Sequence, residues 1–140
     1  MALTWRAGTA TAGGPSRNLL KEVAPAMLGQ RLRDRRATWI SVQRLPGVGG
    51  REALSAALGA PVHDAAYANG DLEEILALMS VVDHYVGVSN TNTHLRAGVG
   101  GPMRVLVPHP PEWRWGLAGE RSPWFSTAIV ERQQPSGRWQ

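Results

Sequence analysis

Apolar positions along the chain change spacing repeatedly, from runs that read as strands to runs with helical periodicity and back. "ALTWRAGT", residues 2–9, predicts a short strand that ends in a glycine turn. "TAGGPSRN" is a Gly- and Pro-rich loop. "LLKEVAPAMLGQRL" carries Leu19, Leu20, Val23, Met27 and Leu28 at helical spacing, with Pro25 expected to kink or shorten the helix. "ATWISVQRL" is an apolar, β-branched strand, "PGVGG" a turn, and "REALSAALG" a short helix stopped by Gly59. A weaker strand, "APVHDAAY", is broken by "ANG". "DLEEILALMSVV" predicts a helix with Asp71 as N-cap and with Glu73 and Glu74 in the first turn, where the helix dipole favours acids. "DHYVGVS" reads as a strand, "TNTHLRAGVG" as a helix ending in glycines, and "MRVLVP" as a strand. A long irregular segment, "HPPEWRWGLAGERSPW", precedes a last strand, "STAIVER".

The order is βαβαβαβαβ with one further strand and no internal repeat. Strands alternating with helices of about ten residues imply a parallel sheet covered on both faces. The expectation is a single domain over residues 1–140, a Rossmann-like doubly wound α/β fold with right-handed crossovers. In such sheets ligands bind beyond the carboxyl ends of the strands, where the strand order reverses. That restricts the search to residues 8–18, 43–50, 89–94 and 108–115.

The third of these segments, "SNTNTH", is unusually polar. It lies where a strand hands over to a helix N-terminus, whose first amides are unpaired and partly positive. The hydroxyls of Ser89, Thr91 and Thr93, with those amides, suit a diphosphate, and Asn90 and Asn92 add donors. N-capping alone needs a single Ser, Thr or Asn. His94, one turn in, is either a phosphate or sugar contact or a neutral histidine packed on the sheet. The loop "GTATAGGPSRN", with Thr9 at its start and Arg17 near its end, approaches a phosphate or is an ordinary surface loop; it lacks the P-loop spacing. Gln43 closes a strand and either bonds a ligand or caps backbone. In "HPPEWRWGL", Glu112 accompanies Trp113, Arg114 and Trp115, which either stack on a base or sugar or staple the loop to the sheet.

Composition removes several chemistries. The absence of cysteine excludes disulfides, thiol catalysis and cysteine–zinc sites, and fits a cytoplasmic protein. There is no G-x-S-x-G elbow, and His63, His84, His94 and His109 show no metal-ligand spacing. No apolar run reaches the roughly 18 residues of a membrane span. The formal charge is +4, nearly all from arginine, since Lys21 is the only lysine; a mild positive balance favours phosphate-bearing ligands. Arg31, Arg33, Arg35 and Arg36 are interrupted by Asp34 without interleaved aromatics, and read as a solvated helix end rather than a nucleic-acid site.

The second half resembles the C-terminal part of a glycosyltransferase family related to the bacterial heptosyltransferases and often fused behind tetratricopeptide repeats. That family shows a strand, a D-[ST]-x-x-x-H helix start, "LAGALG", "PVWVLLP", "PDWRW" and "SPWY". Here the matching stretches are Ser89 to His94, "LRAGVG", "MRVLVP", "PEWRW" and "SPWF". "LTWRAGT", "SRNLL" and "ISVQ" extend a looser similarity over the first half. The resemblance implies one half of a two-domain GT-B enzyme, the nucleotide-sugar-binding half, with a nucleoside-diphosphate sugar as donor substrate and no other cofactor. It implies the diphosphate at Ser89 to His94, Arg17 on phosphate and Gln43 near the nucleoside. Ser89 stands where the family has an acid, and Asn90 where it has a hydroxyl. The acceptor domain, which usually supplies the catalytic base, is not in 140 residues, so the chain is expected to be a fragment or stand-alone half that transfers no sugar alone. A missing N-terminal domain or a homodimer partner would complete it. The alternative is a degenerate, non-catalytic transferase-like module used for partner binding. A small NAD protein is disfavoured by the absent glycine fingerprint.

Overall fold

The computed structural model describes residues 1–8 and 20–139. Its strands are β1 (Ala2–Leu3), β2 (Arg6–Ala7), β3 (Lys21–Glu22), β4 (Trp39–Ser41), β5 (Val62–Asp64), β6 (Tyr85–Val88), β7 (Met103–Val107) and β8 (Ala128–Arg132). Its α-helices are α1 (Pro25–Leu32), α2 (Gly50–Leu58), α3 (Leu72–Val81) and α4 (Thr91–Gly98). Six strands form one sheet in the order β5-β4-β1-β6-β7-β8, every neighbouring pair parallel. Counted among themselves these strands run 3-2-1-4-5-6, the doubly wound order whose reversal falls between β1 and β6. None of the described helices is long and apolar enough to cross a membrane.

The two faces of the sheet are covered by different helices. Leu28 and Leu32 of α1 and Leu54 and Leu58 of α2 pack with Leu3, Trp39 and Val86. On the other face Ile75 and Met79 of α3 pack with Tyr85, Val105 and Trp115, and Leu95 of α4 joins them. All four residues of β6 are buried, as expected of a central strand covered on both sides. The buried guanidinium of Arg96 ties this layer together by donating to the carbonyls of Met79, Asp83 (3.0 Å) and Pro102 (3.4 Å). A cation there meets the C-terminal carbonyls of α3, where the dipole favours it.

The capping signals of the sequence act as expected. Asp71 accepts from the amides of Glu73 (2.8 Å) and Glu74 (3.1 Å), and Gly59 ends α2 in the left-handed region at φ 67°. Two elements differ from expectation. Pro25 shortens the helix rather than kinking it: it opens α1 in its first turn, where a missing amide costs nothing, and the preceding Lys21–Glu22, expected to be helical, pairs antiparallel with β2. "ALTWRA" is likewise not one strand. The chain leaves the sheet after Leu3 because the Gln43 side chain, in place of a neighbouring strand, accepts the amides of Trp5 (2.8 Å) and Arg6 (2.9 Å).

Gly87 lies in β6 beside the side chains of Thr4 and Tyr85. A Cβ built there falls 2.1 Å from Thr4 Oγ1 and 2.6 Å from the Tyr85 hydroxyl, so neither could keep its place. Gly87→Ala is therefore expected to destabilise the fold by about 2–3 kcal/mol, as overpacking does. Urea unfolding of the two proteins measures this, and an unchanged midpoint would show that the two hydroxyls do not occupy that space.

Candidate functional site

The polar run after β6 is divided between two tasks. Asn90 caps α4: its Oδ1 accepts the Thr93 amide at 3.1 Å, and Thr93 Oγ1 accepts the Asn90 amide at 3.4 Å, a reciprocal capping box. The same side chains close a hydrogen-bonded ring around the Tyr85 phenol. Tyr85 donates to Asn90 Oδ1 at 3.1 Å, and Asn90 Nδ2 donates to Thr4 Oγ1 at 2.9 Å. Because the single phenolic proton is thus engaged, Thr4 donates to the Tyr85 oxygen at 2.6 Å. Burial raises the Tyr85 pKa, outweighing its hydrogen bonds to Thr4, Thr93 and Asn90, so the phenol stays a neutral donor. Thr93, wholly buried, donates to the Val88 carbonyl at 2.8 Å.

Asn92 braces α4 against the neighbouring strands. Its Nδ2 donates to the Val42 carbonyl (3.1 Å) and to Asn69 Oδ1 (3.0 Å), and Asn69 donates to the same carbonyl (3.1 Å). Ser89, 1% exposed, turns the other way and donates to Glu112 at 2.5 Å. Glu112 also accepts from Trp115 Nε1 (3.2 Å) and pairs with Lys21 (2.7 Å), which donates in addition to the Ser89 carbonyl (3.0 Å). Burial alone would raise the Glu112 pKa, but hydrogen bonds from Lys21 and Ser89 and the charges of Lys21 and Arg114 together hold it below the usual carboxylate range.

His94 sits against the aromatic segment and is not among the residues lining the cleft at the reversal of strand order. Arg114 can only donate, so His94 Nε2 accepts from it at 3.0 Å, and Nδ1 carries the hydrogen donated to the Asn90 carbonyl at 2.7 Å. The ring meets Phe125 edge-on at 5.4 Å and tilts against Trp115 at 6.2 Å. Of the tryptophans in "PEWRW", Trp115 is fully buried and staples the irregular segment to the sheet, whereas Trp113 is exposed, edge-on to Trp124.

On the cleft side of the same turn lies a cavity of about 750 Å³ at the reversal of strand order. It collects the ends of β1, β4 and β6: Thr4 and Arg6, then Gln43 and Arg44, then Asn90, Thr91 and Asn92. Val42, Ile75 and Leu95 give it an apolar lining, and no Asp, Glu or His is among the described residues that line it. Among the described residues, the amides of Thr91 and Asn92 meet no acceptor, as the first turn of a helix requires, and both residues line the cleft.

The cleft thus unites Gln43, Asn90, Thr91 and Asn92 of the residues singled out in the sequence. Ser89 and Glu112 meet each other and Lys21 instead, Thr93 is internal, and His94 packs on the aromatic segment. Thr9 and Arg17 lie outside the described residues. Sequence reasoning did not single out Thr4, Arg6, Arg44, Asn69 or Tyr85. Only Arg44, directly after Gln43 at a strand end, carried a local signal. No group of three His, Asp or Glu side chains among the described residues can hold a metal ion. Comparison with protein-family models, curated proteins and solved structures finds no match.

Glu112 gives the site a pH signature. A carboxyl whose folded pKa is depressed contributes stability that is present above its unfolded pKa of about 4.3 and is lost as pH falls through the folded value. Glu112→Gln, which leaves the Lys21 charge without its partner, is expected to destabilise the protein by about 1–3 kcal/mol at pH 7. That difference should shrink as pH falls below the usual carboxylate range and the wild-type carboxyl takes up its proton. Thermal unfolding of both proteins from pH 7 to pH 3 checks this; parallel curves would show that the carboxylate charge contributes nothing.

Proposed function

We propose that the chain is the donor-binding half of a glycosyltransferase, taking a nucleoside-diphosphate sugar into the cleft between β1 and β6. One observation carries this reading. A cavity of about 750 Å³ sits at the reversal of strand order and has on its wall the amides of Thr91 and Asn92, which meet no acceptor among the described residues. Those amides, the Thr91 hydroxyl and the α4 dipole suit a diphosphate, both as a resting ligand and as a leaving group that gains charge when the sugar departs. The apolar side chains of Val42, Ile75 and Leu95 suit a nucleoside. With no Asp, Glu or His among its lining residues, the cleft binds and orients, and the base that activates an acceptor comes from a second domain. The same lack of a carboxylate at the end of β4 argues against a dinucleotide, whose ribose is usually held by an acid there.

A second reading, a transferase-like module that binds a partner without transferring sugar, is favoured by Leu45 and Leu72. They line the cleft and are 64% and 65% exposed.

Thr91 is the first residue of α4, preceded by the extended Asn90, so proline is tolerated there while removing both amide and hydroxyl. Calorimetric titration with UDP, GDP, ADP and NAD is expected to show binding of one nucleoside diphosphate and none of NAD. Thr91→Pro is expected to weaken that binding by about tenfold or more, the worth of a charge-assisted hydrogen bond, at unchanged unfolding temperature. Absence of any nucleoside diphosphate binding at millimolar concentration would overturn the donor reading in favour of the partner-binding module.

A further inference from the structure

Two arginines stand at the carboxyl ends of adjacent parallel strands, Arg6 beyond β1 and Arg44 beyond β4, and both line the cleft. Both are set by one buried side chain. Gln43 is 4% exposed, and its Oε1 accepts the amides of Trp5 and Arg6. Its Nε2 donates to the carbonyl of Arg6 at 2.9 Å and, at 3.5 Å, to that of Leu45. The backbone of Arg6 is therefore gripped at both its polar groups, and Arg44 is held between Gln43 and its second carbonyl contact at Leu45. A primary amide matches this task because it offers two acceptor lone pairs and two donors in one plane.

The two charges are poorly compensated. Arg6 faces Glu22 at 4.0 Å, a half-exposed pair of little energetic weight, and Arg44 makes no ion pair among the described residues. No acid is among the described residues that line the cleft. Two arginines lining one partly apolar cavity match a ligand with more than one negative oxygen, because each guanidinium can donate two hydrogen bonds in a fork to phosphate.

We infer that Arg6 and Arg44 form a clamp for a diphosphate group, and that Gln43 is the positioning residue that holds the two arginine-bearing segments together. The inference rests on the donor reading for the nucleoside part of the ligand but not for its anionic part. It moves Gln43 from nucleoside contact to support, and adds a recognition element that the helix start alone does not supply.

Inorganic pyrophosphate tests the clamp without reference to any nucleoside. Calorimetry at low ionic strength should detect its binding to the wild type, weakened about tenfold in each of Arg6→Gln and Arg44→Gln, and weakened for all three proteins as salt is raised. These side chains lie at the surface of the cleft, so both variants should fold. In a Gln43→Met background the further loss caused by Arg6→Gln should fall to about twofold or less; a merely structural role would leave the full loss intact, whatever the substitution does to the unfolding temperature. Failure of pyrophosphate to bind, or equal binding to wild type and both arginine variants, overturns the clamp. If nucleoside diphosphates bind and respond to Thr91→Pro but not to the arginine substitutions, the donor reading survives and the clamp is overturned. If pyrophosphate binds through both arginines and UDP, GDP and ADP bind no better, the clamp stands and the donor reading fails.

Discussion

A closed ring of hydrogen bonds, from Thr4 to the Tyr85 phenol, on to Asn90 and back to Thr4, holds together the three segments that meet where the strand order reverses. Each segment comes from a different part of the chain: the end of β1, the start of β6 and the cap of α4. Parallel strands splay at such a reversal because their following connections leave toward opposite faces, and that divergence creates the crevice. A buried polar ring in which every member is satisfied rigidifies its surroundings, whereas one missing partner would leave an uncompensated donor or acceptor. The ring also demands space, which Gly87 supplies by having no side chain at the point where the hydroxyls meet. The crevice is thus held open from its base rather than from its rim.

This explains why so many polar residues follow β6. The set is not one ligand cradle but an inner frame and an outer face. Asn90 and Thr93 satisfy the helix start and the ring; Ser89 turns toward Glu112 and Lys21 and fastens the irregular segment that carries Trp115. Asn92 links α4 to the end of β4 through the Val42 carbonyl. What is left over for a ligand is small: the Thr91 hydroxyl and two amides. Frame and face depend on each other, because amides present useful partial charge only when the helix start behind them does not fray.

The doubly wound fold was legible because its signal is repetitive. Strand-like and helical spacings alternate along the whole chain, and caps such as Asp71 and Gly59 sit where local chemistry alone requires them. The division of labour within residues 89–94 was not legible, because it depends on partners far away in sequence. Tyr85 looks like one more β-forming aromatic, and nothing local says that its hydroxyl meets Thr4 across 81 positions. Gln43 reads as a ligand donor at a strand end, yet all four of its hydrogen bonds to the neighbouring backbone are long-range or around its own turn. Pro25 did mark where the helix is cut short, but the strand before it was hidden: a helix-period pattern continues through Leu20 and Val23, and pairing of Lys21–Glu22 with β2 overrides that periodicity.

The charges follow from the same geometry. Glu112 is the acid nearest the ligand edge in the sequence patterns, and the fold removes it from the cleft by surrounding it with Lys21, Ser89 and Trp115. Had that carboxylate faced the crevice, it would have cancelled one of the arginines and repelled a phosphate. Locked behind the Ser89 turn, it stabilises the frame and leaves the potential of the cleft to Arg6, Arg44 and the start of α4. A site arranged in this way selects for negative charge before it selects for anything else, since its fixed donors are rigid and its apolar surfaces are not selective among bases. On the proposed donor reading, discrimination between nucleosides would fall to the rim, where Leu45 and Leu72 stand exposed.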